Sequence, residues 1–97
     1  MEKVNITYKV LEDEVKATKH LSCYRVDERH VVYFEEDSFV IDTISEETNG
    51  EIIVDADLDY YPIFIELENV DGFNINDEPF VNFLKYLIKV RDEQNND

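Results

Sequence analysis

The sequence predicts an α+β domain: an antiparallel β-meander of four to six strands with one C-terminal helix packed on the sheet. Three observations carry that prediction. Val4, Ile6, Tyr8 and Val10 alternate with polar residues at a spacing of two, the period of a strand with one buried face. Further short apolar stretches follow, each closed by a polar or acidic turn. From Phe80 onward the apolar spacing changes to the i, i+3, i+4 rhythm of a helix.

Taken in order, residues 3–10 form the first expected strand, and Leu11-Glu12-Asp13-Glu14 its turn. Residues 15–26 fit neither period cleanly, because Val15, Ala17, Leu21, Cys23 and Val26 are irregularly spaced; a strand ending near Tyr24 is the preferred reading. Residues 30–34 form the next strand, Glu35-Glu36-Asp37 its turn, and residues 38–44 the strand after it, with Phe39 and Ile41 on one face. Ser45 to Gly50 is expected to be a polar loop, in which Asn49-Gly50 is a hairpin signal. A short strand at 51–55, a connection from Asp57 to Tyr61 and an alternating strand at 62–68 complete the sheet. In that last strand Ile63, Ile65 and Leu67 point one way, and Phe64, Glu66 and Glu68 the other, as one polar sheet face requires. Asn76-Asp77-Glu78-Pro79 starts the helix, since Asn and Asp cap and Pro is tolerated in the first turn. Phe80, Phe83, Leu84, Leu87, Ile88 and Arg91 form its stripe, with Lys85, Lys89 and Arg91 toward the end where the dipole favours cations. Residues 91–97 are expected to fray as a polar tail of this single domain.

The chain has 97 residues, 43% of them hydrophobic, which suits one domain with one modest core. Its net charge is −15, from 24 acids against nine Lys and Arg. That sign excludes direct binding to nucleic acid, where bases must neutralise phosphates, and to anionic membranes. Basic proteins and cations remain as favoured partners. A single cysteine, Cys23, gives no disulfide framework, and Met1-Glu2-Lys3-Val4 opens no apolar leader, so a cytoplasmic protein is expected.

The acid is not evenly spread. No Lys or Arg occurs between residues 30 and 84, a stretch that holds fifteen of the acids, while acids and bases balance in the two flanks. The whole net charge comes from the middle of the chain. Such a surface would dock a basic protein, raising association rate and setting orientation. The residues expected to carry this are Asp42, Glu46, Glu47, Asp55, Asp57, Asp59, Glu66 and Glu68, with Tyr60 and Tyr61 as aromatic anchors among the carboxylates.

Other chemistry finds less support. Asp55, Asp57, Asp59 and Glu66 match the acid positions of an EF-hand loop, but Tyr60 stands where Gly is needed and Pro62 where a branched apolar residue is needed. Weak cation binding is the reading that survives. Nothing marks the pocket that paired carboxylates would need as acid and base. His20 and His30 lack zinc spacing and read as surface or strand-end residues. Cys23 reads as a small buried side chain, with His20 facing the opposite side of its strand. No catalytic residue, metal or cofactor is expected, and the chain is not expected to be an enzyme.

Residues 31–73 resemble the family known as domain of unknown function 2283. The resemblance lies in Tyr33 followed by Glu35-Glu36-Asp37 and the strand Phe39-Val40-Ile41, then Ile52-Ile53-Val54-Asp55, then the pair Ile65-Glu66. The chain departs from the pattern where Tyr61-Pro62 replaces a Gly before the last strand, and it adds an N-terminal strand region and a C-terminal helix. The resemblance implies a small β-rich fold and a role in toxin–antitoxin-like pairs, and no catalytic residues. The expectation is therefore an acidic module that inhibits or neutralises a basic, nucleic-acid-binding protein such as a nuclease, as an antitoxin, immunity or phage anti-defence protein would. A structural or oligomer-forming domain, with a homodimer allowed, is the alternative; a cation-dependent binding module is the other.

Overall fold

The computed structural model describes residues 1–35, 37–55, 62–66 and 77–95. Among these residues, seven strands, β1 (Glu2–Glu12), β2 (Val15–Arg25), β3 (His30–Phe34), β4 (Ser38–Thr43), β5 (Glu46–Thr48), β6 (Glu51–Asp55) and β7 (Ile63–Glu66), precede one helix, α1 (Glu78–Asn95). The expected α+β class and C-terminal helix are present. The expected antiparallel meander of four to six strands is not: the strands form one seven-stranded mixed sheet in the order β5-β6-β1-β2-β3-β4-β7, curled into a half-barrel. The mixed character arises where β6 returns beside β1 and runs parallel to it, pairing Ile6 with Ile52 and Lys9 with Asp55.

Two hairpins share one turn design. Glu12 pairs with Val15 and Thr48 with Glu51, so two residues turn each corner. Asp13 and Glu14 have φ of 50° and 65°, and Asn49 and Gly50 have 54° and 82°. Positive φ at both central residues matches the right-handed twist of the flanking strands. The predicted polar loop at Ser45–Gly50 therefore contains β5, whose three residues, Glu46-Glu47-Thr48, carry no apolar signal.

The curl is made by the chain between β4 and β5. The Ile44 amide donates to the Arg29 carbonyl at 2.6 Å, and the next amide, Ser45, donates to the Ile53 carbonyl at 2.8 Å. One residue thus leaves the β3 side of the sheet and its neighbour joins β6. Tyr8 on β1 and Tyr33 on β3 consequently meet edge to face at 6.2 Å between centroids, although β2 lies between their strands.

The sheet buries both faces, which is why no polar face of the expected kind exists over β4: Phe39, Val40, Ile41, Asp42 and Thr43 are all buried. One face, with Val26, Val32, Phe39 and Ile41, is covered by Phe80, Leu84 and Ile88 of α1. The other, with Ile6, Cys23, Val31, Ile52 and Val54, is covered by the curl of the sheet itself. The Asp77 carbonyl accepts from the Phe80 and Val81 amides, and Pro79 sits in the first turn as predicted. The helix continues past Arg91 to Asn95, so Asp92 to Asn95 is helical where a frayed tail was expected. The expected connection at 57–61 and the end of the last strand at Leu67 and Glu68 lie outside the described residues. Among the described residues no helix is long and apolar enough to cross a membrane.

Candidate functional site

The acids singled out from sequence do not form one surface. Asp42 is 2% exposed and Asp55 is also buried, because each sits on a strand whose face is covered. Both are interior residues and not the partner-binding surface expected of them. Lys16 Nζ donates to Asp55 Oδ1 at 3.0 Å, and the Asp55 amide donates to Ser45 Oγ at 2.8 Å. Glu47 is exposed but bound: Arg25 donates to its two oxygens at 2.7 and 3.0 Å, which holds the Glu47 carboxyl below its ordinary pKa. Glu46 is exposed beside Glu51 on the opposite face of the β5–β6 hairpin, where Thr48 and Thr7 hydroxyls donate to them. Glu66 is exposed on β7, with four strands between it and β6 in the sheet order. Asp57, Asp59, Tyr60, Tyr61 and Glu68 lie outside the described residues. Among the described residues no group of three or more His, Cys, Asp and Glu side chains could hold a metal ion.

A different set of acids is exposed at one end of the sheet. The Glu35 amide donates to the Ser38 carbonyl at 2.7 Å across the β3–β4 turn, and Ser38 pairs with Glu66. Phe34, the last residue of β3, stacks on Phe80 with centroids 6.4 Å apart, which brings that turn to the start of α1. At this corner Phe34 is 42% exposed on the helix-covered face, near exposed Asp77 and Glu78 at the start of α1. Exposed Glu35 and Glu66 follow Phe34 and Ile65 and so point to the other face at the same end of the strands, with exposed Asp37 in the turn between β3 and β4. Phe34 is held from below by Tyr24 and Phe39 as well as Phe80. None of the segments that build the corner carries a Lys or Arg.

Asp42 belongs to the interior of the curl. Burial pushes its carboxyl above the ordinary range; the Tyr33 hydroxyl and the Arg91 charge work against that rise, and Glu35 adds to it. Its Oδ2 is buried with no hydrogen-bond partner among the described residues, as is Thr43 Oγ1 beside it. Burial and the Asp42 charge likewise push the Tyr33 phenol well up, and push the Cys23 thiol up to about 11. A thiol so placed carries no thiolate at neutral pH and is an inert packing group, as its sequence context suggested.

The opposite end of the sheet holds a network that sequence reasoning missed. The Arg25 guanidinium donates to the Asp27 and Glu28 carbonyls at 3.1 and 2.9 Å as well as to Glu47, which pins the β2–β3 turn to β5. Within the turn, Asp27 Oδ1 accepts from the Arg29 amide at 2.7 Å and lies 2.8 Å from His30 Nδ1. Arg91 Nη2, from the last turns of α1, lies 2.9 Å from His30 Nε2. His30, expected at the surface or a strand end, is the first residue of β3 and is 5% exposed. Burial raises the Asp27 pKa, but the Arg29 amide and His30 together outweigh it and the carboxyl titrates below its ordinary value.

No family model, curated protein or solved structure matches the chain.

Proposed function

We propose that this chain is an acidic protein-binding module that inhibits or neutralises a basic, nucleic-acid-binding protein by presenting carboxylates where that protein expects phosphates. The observation that carries this reading is one end of the sheet where exposed Glu35 and Glu66 on one face, and Asp77 and Glu78 at the helix start on the other, flank the turn that carries Asp37 and the exposed ring of Phe34. Exposed carboxylates steer and orient a cationic surface. An aromatic ring braced by three others, beside such carboxylates, supplies the desolvated anchor that charge alone lacks. The mechanism is competitive occlusion: the corner fills the partner's phosphate-binding groove, so bound chain and bound nucleic acid exclude each other.

The test uses the full chain immobilised in a native lysate. A basic nuclease or DNA-binding protein is expected to be retained at low salt, released at high salt and displaced by added nucleic acid. Phe34→Ala is expected to weaken retention by on the order of 2 kcal/mol, as for an interface anchor. The double change Glu35→Lys with Asp37→Lys is expected to slow association most strongly at low salt. If no basic protein is held at low salt, or if neither change matters, the reading fails.

A further inference from the structure

The Asp27–His30–Arg91 chain carries a second inference, independent of the acidic corner and at the other end of the strands. Arg91 can only donate hydrogen bonds. Its contact with His30 at 2.9 Å therefore requires a lone pair on Nε2, and this places the imidazole proton on Nδ1, facing Asp27 Oδ1 at 2.8 Å. The contact that ties the end of α1 to the β2–β3 turn exists only while His30 is neutral. We propose that His30 is a proton-operated latch: neutral, it holds Arg91 and the C-terminal turns of α1 against the sheet; protonated, it releases them.

The step is a simple proton uptake. A proton from solvent adds to Nε2, the acceptor becomes a donor, and two N–H groups then face each other across a distance that suited donor and acceptor. Both groups are now cationic, so the attraction becomes repulsion. The surroundings decide which bond survives. From the β2–β3 turn, Asp27 faces Nδ1 directly, with Glu28 and Arg29 beside it; from α1, Asp92 Oδ1 lies 3.3 Å from Arg91 Nη2; from β4, Asp42 feels the Arg91 charge and Thr43 is the strand partner of His30. Asp27 remains a carboxylate through the imidazole range, so the charged ring stays with the turn and Arg91 is the partner that leaves. Asp92, already 3.3 Å from Arg91 Nη2, stays with the guanidinium as it leaves the ring. A groove of about 400 Å³ between the turn and the helix, lined by Asp27, Glu28, Arg29, His30, Ile88 and Asp92, admits water to the ring and leaves room for the Arg91 side chain to swing.

The test is NMR on the full chain across about pH 8 to 5, the range in which imidazoles titrate. At the upper end the ring nitrogen spectrum is expected to show His30 as the Nδ1–H tautomer; His20, exposed on β2, gives a second imidazole in the same spectrum for comparison. As His30 takes its proton, amide protection of residues 88–94 is expected to fall about tenfold, the loss of one charge-assisted hydrogen bond. Reading protection factors, not raw exchange rates, removes the intrinsic pH dependence of exchange. His30→Gln keeps an acceptor that cannot titrate and is expected to keep protection high at both ends. Arg91→Gln is expected to show low protection at both ends. An Nε2–H tautomer at the upper end, or protection in the parent chain that ignores the His30 titration, would overturn the proposal. A step that persists unchanged in both variants would do so as well.

Discussion

One sheet is closed in two ways, and its two halves differ in what they tolerate. Over β3, β4 and β7, the apolar face is capped by a separate element, with Phe80, Leu84 and Ile88 set on Val32, Phe39 and Ile41. Over β1, β2 and β6, no further element among the described residues is added; the strands bend until Ile6, Cys23, Ile52 and Val54 cover one another and Val31 of β3. The helix-covered cluster is apolar throughout, and its polar groups, His30 and Arg91, sit at its rim. The curled interior contains Asp42 with Tyr8 and Tyr33 close by. A helix can fit its side chains to a fixed surface one by one. A curling sheet has only its own alternate residues to offer, and the pleat that points Val40 inward points Asp42 inward too. The helix-covered half should therefore respond to lost volume, and the curled half to charge and turn geometry.

The largest effect expected is from Leu84→Ala. Leu84 is fully buried at the centre of the helix-covered cluster, so the change removes contacts that the rigid sheet cannot restore and costs about 2–5 kcal/mol. Urea unfolding followed by far-UV ellipticity measures it, and near-UV tyrosine signals from the curled half provide a second probe. Coincident midpoints mean the halves unfold as one unit through their shared strands β3 and β4. A tyrosine midpoint that stays put while the helical one drops would separate them.

Asp42→Asn probes the curled half. The folded Asp42 carboxyl titrates above its ordinary value of 3.8, chiefly because burial disfavours the charge. Its contribution to stability is thus full while the unfolded carboxyl is also protonated, below about pH 4, and is lost as pH rises toward the raised value. The amide variant cannot ionise. It is expected to gain on the parent chain as pH climbs out of the ordinary carboxylate range, by at most about 1.4 kcal/mol per pH unit, and to level off once the folded carboxyl has ionised. Paired denaturation curves across that range check it. A difference that does not change with pH would mean that Asp42 is already neutralised by its neighbours.

Much of the fold was legible because much of it is periodic. β1, β3, β4 and β6, and the start of α1, lie within a residue or two of where alternation and helical spacing place them. β2 was ambiguous because its first seven residues are exposed or half-exposed on both sides, so no buried face imprints a period. β5 was missed because it is short and entirely polar, and it exists through its pairing with β6. The mixed topology was not legible at all: Ile6 meets Ile52 because the chain crosses from β3 to β6 at Ile44 and Ser45, and no local pattern encodes that crossing. The site suffered for the same reason. Clustering in sequence suggested Asp42 and Asp55, which strand pleating buries, whereas the β3–β4 turn and the start of α1 come together only through Phe34 and Phe80. Asp27 three residues before His30 was a visible signal, but Arg91 is 61 residues away.

The smallest effects come from the two hairpin turns of the curled half, which share a backbone but not a sequence. Gly50 has φ of +82° with nothing within 4 Å of where a Cβ would stand, so Gly50→Ala adds no collision and its cost is purely conformational, about 1–2 kcal/mol. That strain falls on a strand pair of only three residues, so loss of β5 pairing should accompany it, visible as faster exchange of the Ile53 and Glu51 amides. At the other turn Glu14 holds a φ of 65° with a side chain that disfavours it. Eleven strand pairs hold this hairpin in register whatever its turn prefers, which is how a poor turn residue is tolerated there. Glu14→Gly relieves the strain but loosens the unfolded chain by 0.5–1 kcal/mol, roughly, so a net gain of no more than about 1 kcal/mol is expected. The sign is the informative part. If Glu14→Gly destabilises, the carboxylate at that tip holds the turn by a contact that outweighs its backbone strain, and the two turns are alike in φ alone.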